Sequence, residues 1–316
     1  MAKGRISALL IAGPTAGGKS HLALHLAERL GGAVVNADSM QVYHDLNVLT
    51  ARPSAAEMAR APHLLFGHVD GANNYSVGRY IEDVSSVLAR LHEDGRLPII
   101  VGGTGLYFKA LTQGLSEMPR VPESIRAEWR GRAETMAVSA LHAELAARDP
   151  IMAARLRPSD PQRILRALEV HTATGQSLAF FQSARAKPLL DIEASLAIFL
   201  APDRSALHVA INRRFDAMLE AGALGEVATL ERRGLDPSLP VMRALGVPQI
   251  LRHLKGEIGL AAAAELAKRD TRAYAKRQFT FARNQLPTFR WLTQEAAIEA
   301  SLKACGQPAD EKAIRN

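Results

Sequence analysis

Cysteine is nearly missing: the 316 residues contain one, Cys305, in a polar stretch near the end. A single thiol forms neither an intramolecular disulfide nor a cysteine-based zinc site, so a reducing compartment is expected, with the cytoplasm as the location. Long apolar runs are missing too. No stretch approaches the ~20 residues that a bilayer span requires, and a membrane protein is not expected. Residues 3–5 and the apolar run over 6–12 superficially resemble a signal peptide, but no small-residue cleavage site follows. Acidic residues are the minority charge, 32 against 39 Lys and Arg, and the net charge of +7 fits a polyanionic partner. No internal repeat is present. What remains is a globular chain, 47% hydrophobic, of a length for about two domains.

The run over 6–12 ends at Gly13-Pro14-Thr15-Ala16-Gly17-Gly18-Lys19-Ser20, which fits G-x-x-x-x-G-K-[ST], and a helix-like stretch follows over 21–30. In that setting the segment reads as a phosphate-binding loop. A diphosphate or triphosphate needs many donors in a small volume, and glycines at 13, 17 and 18 let backbone N–H groups converge. Lys19 adds a point charge, Ser20 a hydroxyl for Mg²⁺, and the helix N-terminus a partial positive end. The loop identifies a phosphate without saying which one.

Strand and helix signals alternate through the first hundred residues: strands over 6–12, 33–36 and 98–101, an apolar segment over 63–69, helices over 21–30 and 77–94. This pattern predicts a parallel sheet flanked by helices, whose ligands gather where strands end. From 122 to 187 strand signals vanish and the chain reads as helices broken at Asp149-Pro150, Pro158, Asp160-Pro161 and Gly175. A strand returns over 195–200, then a long helix over 205–220, further helices and a short strand over 289–292. The expected organisation is a core of 1–121 and 188–303, an all-helical insertion domain over 122–187, and a disordered tail over 304–316.

Chemistry is expected just after the strands. Asp38 follows the second, where a carboxylate can bind Mg²⁺, accept a proton or simply cap the next helix; Asp70, after 63–69, is a weaker metal candidate. Thr104, in Gly102-Gly103-Thr104-Gly105, can donate to a phosphate or leaving group, or merely sit in a tight turn. Two basic stretches lie elsewhere. Between 155 and 187 there are six Lys or Arg against Asp160 and Glu169; between 268 and 290 there are seven against Asp270 alone. Asp160 and Pro161 open a helix on which Gln162, Arg163 and Arg166 share a face. Arg269, Arg272, Lys276 and Arg283 form a stripe interrupted by Phe279 and Phe281. Cations with nearby aromatics suit single-stranded RNA, whereas core aromatics on a solvated basic helix is the plainer reading.

Taken in order, the phosphate loop, Asp38-Ser39-Met40-Gln41-Val42-Tyr43, Gly102 to Tyr107, Asp160 to Val170 and Lys276-Arg277-Gln278-Phe279 resemble the tRNA dimethylallyltransferase family over roughly residues 7 to 292. The resemblance implies a P-loop NTPase-like sheet whose loop, Gly13 to Ser20, binds dimethylallyl diphosphate with Mg²⁺ at Ser20. It implies transfer of the dimethylallyl group to N6 of the adenosine 3′ of the anticodon in tRNAs reading codons that begin with U, and release of diphosphate. By similarity Asp38 is the base, Thr104 meets the bridging oxygen, and Lys19 and Arg214 hold the diphosphate. The tRNA anticodon stem-loop would contact Asp38, Ser39, Met40, Gln41, Thr104, Arg126, Gln162, Arg163, Ile164, Leu165, Arg166, Lys276, Arg277, Gln278 and Arg283, with the insertion as anticodon clasp and the enzyme a monomer. Three departures stand out: Gly17 replaces a more usual serine, Leu49 a usual glycine, and Gly246-Val247-Pro248 lacks a usual tyrosine, so no tRNA contact is carried to 246–248. The competing readings are a small-molecule or nucleotide kinase on the same core, and an RNA-binding module with a vestigial loop. Intact Lys19, Ser20 and Asp38 oppose the last.

Overall fold

Residues 6–183 and 186–308 are described by a computed structural model. Its apolar runs become β1 (Ala8–Ala12), β2 (Ala33–Asn36), β3 (His63–Leu64), β4 (Pro98–Gly102), β5 (Ser195–Leu200) and β6 (Arg290–Leu292). All pair in parallel, in the order β3-β2-β4-β1-β5-β6. Side chains alternate between faces of a strand, and both faces are covered here, which is why the strands read as continuous apolar runs. Leu9, Ile11, Ile99 and Ile198 pack with Leu22 and Leu26 of α1 (Lys19–Leu30), while Leu10, Ile100 and Phe199 join a larger cluster on the other face.

The segment over 63–69 yields only a two-residue strand. Leu65 and Gly67 turn the chain away with φ of 64° and 57°, and Val69 returns only as a bridge to Tyr43. The connections carry α2 (Ala55–Arg60), α3 (Val77–Glu93) and α4 (Gly105–Gln113).

The described residues form two compact units: one runs up to Thr112 and resumes at Leu189, the other is Gln113–Pro188. The second holds α5 (Glu123–Thr135), α6 (Val138–Arg148), α7 (Pro150–Arg155), α8 (Pro161–Thr174) and α9 (Leu178–Ser183). It begins at Gln113, not at 122. Its core surrounds Trp129, with Leu141, Leu145, Ile164 and Leu168, and the indole donates to Thr172 Oγ1 at 2.9 Å. Asp149 and Asp160 cap α7 and α8, each followed by a proline already set for the first helical turn.

After β5 the first unit continues through α10 (Arg204–Glu220), α11 (Ala223–Arg232), α12 (Val247–Leu254), α13 (Leu260–Gln285) and, beyond β6, α14 (Gln294–Ala304). The expected disordered tail starts inside ordered chain: α14 reaches Ala304 and Gly306 closes it with φ of 71°, while 309–316 lie outside the described residues. Arg185, counted in the first basic stretch, also lies outside them.

Candidate active site

β1 delivers the chain into the loop at the middle of the sheet. Ala16 takes φ of 59° and Gly18 φ of 82°, so two left-handed residues curl the backbone before α1 starts. Gly18 is the N-cap and supplies no side-chain bond, which leaves the first N–H groups of α1 open toward a ligand. Pro14 O accepts from Gly17 N at 3.1 Å and from Lys19 Nζ at 2.6 Å. Loss of water around the Lys19 ammonium pulls its pKa down to about 8; the Asp38 carboxylate opposes that shift and Arg214 reinforces it.

Asp38 leaves β2 on a scaffold made by buried Asn36, which accepts from Asp38 N at 2.8 Å and donates to Asp38 O and Leu65 O. Asp38 Oδ1 accepts from Met40 N at 2.9 Å. No helix follows, so this carboxylate makes a local turn and is not a helix cap, with Oδ2 remaining for a ligand. Asp70, the weaker metal candidate, is committed elsewhere: Arg233 donates to it at 2.7 Å and Ala72 N at 2.8 Å.

The ends of β2 and β4 press together. A Cβ on Gly102 would lie 2.0 Å from Ala37 O, so only glycine allows the contact, and Thr104 N donates to that same oxygen at 3.2 Å. The Thr104 hydroxyl accepts from Ser39 N at 2.9 Å, contacts Ser39 Oγ at 3.2 Å and lies within hydrogen-bonding reach of the Tyr274 phenol. Burial, then the nearby Asp38 charge, pushes the Tyr274 phenol above its ordinary range, so it stays neutral.

Two hollows meet at Ala16 and Arg214, which line both. One is the mouth of the loop, with Lys19, Ser20 and Arg213. The other is a cavity of about 310 Å³ into which Asp38, Ser39, Tyr274 and Arg277 bring polar groups, while Met40, Leu49, Ile211, Phe215, Met218, Ala244 and Leu245 form apolar wall. Burial lowers the pKa of the Arg214 guanidinium, and Asp38 opposes it.

The remaining candidates separate. Gln41 turns away, its amide donating to Thr50 O and Ala51 O. Gln278 is buried, and so is Ile164, whose side chain belongs to the core of the helical unit and is unavailable to RNA; Leu165 is half-buried. Gln162, Arg163, Lys276, Arg277 and Arg283 are exposed, while Arg126 and Arg166 are half-buried and sit 3.6 Å from Glu123 and Glu169. Lys268, counted in the basic stretch, is buried against Asp216 at 2.7 Å. Phe279 packs in the core, edge-on to Phe199 and tilted against Trp291, and Phe281 packs against the same core, so the plainer reading of both holds.

The sequence reading missed Tyr274, the apolar wall, and Glu226, whose carboxylate accepts the N–H groups of Asn47, Val48 and Leu49 and so fixes the cavity wall at Leu49. Tyr274 had a signal: it precedes Gln278 by one helical turn. Glu226 had none. Leu49 is buried, and its side chain lies 3.1 Å from where a Cβ on Gly246 would stand, so this departure packs beside the glycine that opens the other.

The sequence profile of the IPP transferase family matches residues 41–285, and that of isopentenyl transferases matches 6–66. The chain is 64% identical to the tRNA dimethylallyltransferase of Methylocella silvestris, across 96% of this chain and all of the relative. With the enzyme of that name from Beijerinckia indica it shares 65% identity over 92% of this chain and 96% of the relative. Among solved structures, the full-length tRNA isopentenylpyrophosphate transferase of Bacillus halodurans superimposes with a TM-score of 0.68 at 34% identity, covering 95% of this chain and 96% of that one. A eukaryotic dimethylallyltransferase acting on tRNA gives 0.77 at 26% identity over 96% of this chain and 81% of its own.

Proposed function

The chain belongs to the IPP transferase family, and on that premise we propose that it transfers a dimethylallyl group from dimethylallyl diphosphate to N6 of the adenosine 3′ of the anticodon, in tRNAs reading codons that begin with U. The observation carrying this reading is the shared wall of the two hollows. A diphosphate gripped at Lys19 and Ser20 directs whatever it bears past Ala16 and Arg214, toward a cavity that joins an apolar wall to the polar groups of Asp38, Ser39 and Tyr274. The wall of Leu49, Ile211, Phe215, Met218 and Leu245 suits an alkyl group, and the polar side suits the amine that receives it.

An exocyclic aromatic amine is a weak nucleophile, so the reaction depends on positioning and on stabilising the departing charge. N6 attacks C1 of the allyl group as the C1–O bond breaks. Lys19, Arg214 and the loop amides take the charge that develops on diphosphate, and Thr104 meets its bridging oxygen. Asp38 Oδ2 orients the amine and receives its proton. The target base must leave its stack to reach such a cavity, which is cheapest in a single-stranded loop.

Among the described residues no cluster of three or more His, Cys, Asp or Glu side chains could hold a metal alone. Mg²⁺ would therefore be held together with the diphosphate, with the Ser20 hydroxyl as the protein ligand and phosphate oxygens and water completing its shell. It would neutralise leaving-group charge. Among the described residues no helix is long and apolar enough to cross a membrane.

The test is direct. Labelled dimethylallyl diphosphate, Mg²⁺ and unmodified tRNA should give labelled N6-dimethylallyladenosine next to the anticodon, with no phosphoryl transfer from ATP in a parallel reaction. Phosphoryl transfer without prenylation would return the site to the kinases.

Each unit presents a basic surface for the tRNA: Gln162, Arg163, Arg166 and Arg126 on the helical unit, as anticodon clasp, and Lys276, Arg277 and Arg283 on α13. Phosphate contacts make affinity salt-dependent through counterion release. Arg166→Gln and Lys276→Gln should each weaken tRNA binding and flatten its log–log salt dependence by about one unit, with diphosphate affinity unchanged as the control for folding. Slopes equal to the parent's would take both residues out of the interface.

A further inference from the structure

α13 shows two different faces. Lys276, Arg277 and Arg283 are exposed, while Ala275, Gln278, Phe279 and Ala282, at helical spacing, are buried. Gln278 is only 7% exposed, and both ends of its amide are engaged. Oε1 accepts from Thr15 N in the phosphate loop at 2.9 Å; Nε2 donates to Gly103 O, one residue before Thr104, also at 2.9 Å. Only this orientation of the amide works, because the reverse would set N–H against N–H and carbonyl against carbonyl. The fit is close: a Cβ on Gly103 would come within 2.3 Å of Nε2 and 3.2 Å of Asp38 Oδ2.

We infer that Gln278 serves the prenyl donor and not the RNA: it is a positioning residue that fixes the phosphate loop, through Thr15, to the turn carrying Thr104. The inference rests on the proposed transfer reaction. That reaction needs the diphosphate donors and the hydroxyl facing the bridging oxygen at a fixed separation, and a displacement of ~1 Å between such groups costs on the order of 10²-fold in rate. No other side chain among the described residues bonds both segments through one group. Lys276 is exposed on the outer face of the helix while the Gln278 amide, two residues on, acts inward.

The experiment compares the parent with Gln278→Met, which keeps the volume and removes both hydrogen bonds. Inorganic diphosphate should bind about tenfold more weakly and kcat should fall about tenfold, the loss of one to two net hydrogen bonds. Affinity for tRNA should stay within about twofold and the salt slope should be unchanged, since no phosphate contact is lost. A tenfold loss of tRNA affinity with intact diphosphate binding overturns the inference, as does a variant identical to the parent. Should Gln278→Met not fold, by its melting curve, Gly103→Ala gives a second route. Its Cβ displaces Nε2 in the parent background but meets nothing at that position in Gln278→Ala, so the two substitutions should be markedly non-additive in diphosphate affinity. Additive effects would refute the coupling. A parent that binds diphosphate but prenylates no tRNA would sink the proposed function, while the diphosphate comparison would still judge Gln278.

Discussion

Asp38→Asn should lower kcat by about 10²-fold or more and leave tRNA affinity within about twofold. The amide is close to isosteric, and its oxygen can still accept from Met40 N, as Oδ1 does at 2.9 Å, so the turn after β2 keeps its shape. What the amide cannot do is take the proton from N6 as the C–N bond forms. Single-turnover rates with saturating donor and tRNA isolate that step. An unchanged rate would leave Asp38 as a turn residue, whatever the cavity around it looks like.

Removing the Lys19 ammonium is the second large effect, and it has an unusual pH counterpart. Lys19→Met should weaken donor binding and turnover by about 10²- to 10³-fold, the range for deleting one preorganised donor to developing charge. In the parent, the Lys19 pKa of about 8 lies below its ordinary 10.5 because burial keeps water from the ammonium. Between those two values the unfolded chain binds a proton that the folded chain has released. Stability from this group therefore rises with pH across that window. Donor affinity goes the other way, because the diphosphate wants the charged form and must draw a proton in with it. The donor KM should climb above pH 8, by up to about tenfold per unit, while the melting temperature of the empty protein loses none of the contribution from this group. A donor KM flat from pH 7 to 9.5 would mean that Lys19 stays charged.

Much of this could be read from the chain because local rules decided it. β2 and β5 span the predicted residues, since buried parallel strands allow few alternatives to a continuous apolar run. Asp149-Pro150 and Asp160-Pro161 start helices where capping and a fixed φ agree. Partners distant in sequence were invisible. Nothing near residue 47 announces Glu226, and nothing in Lys276-Arg277-Gln278 says that the third side chain faces inward. Apolar content over 63–69 did not by itself say how much of the segment joins the sheet: left-handed Leu65 and Gly67 turn the backbone off it after two residues. Composition describes a surface or a core, and register along a helix decides which.

β1 sits between β4 and β5, and the cavity beside its loop, which starts at Thr15 and Ala16, is lined on other sides by Phe215 of α10, Leu245, and Thr271, Tyr274 and Arg277 of α13. During synthesis, every recognisable motif of the first half can have left the ribosome while the reaction chamber still lacks a side. A nascent chain ending near residue 250 would carry the phosphate loop and Asp38 without Thr271, Tyr274 or Arg277 against them, and its anion grip would lack the Gln278 brace. Contacts this far apart in sequence also make assembly slow. On the proposed function, a chain that stops before α13 should activate no prenyl donor, since that helix closes one side of the cavity.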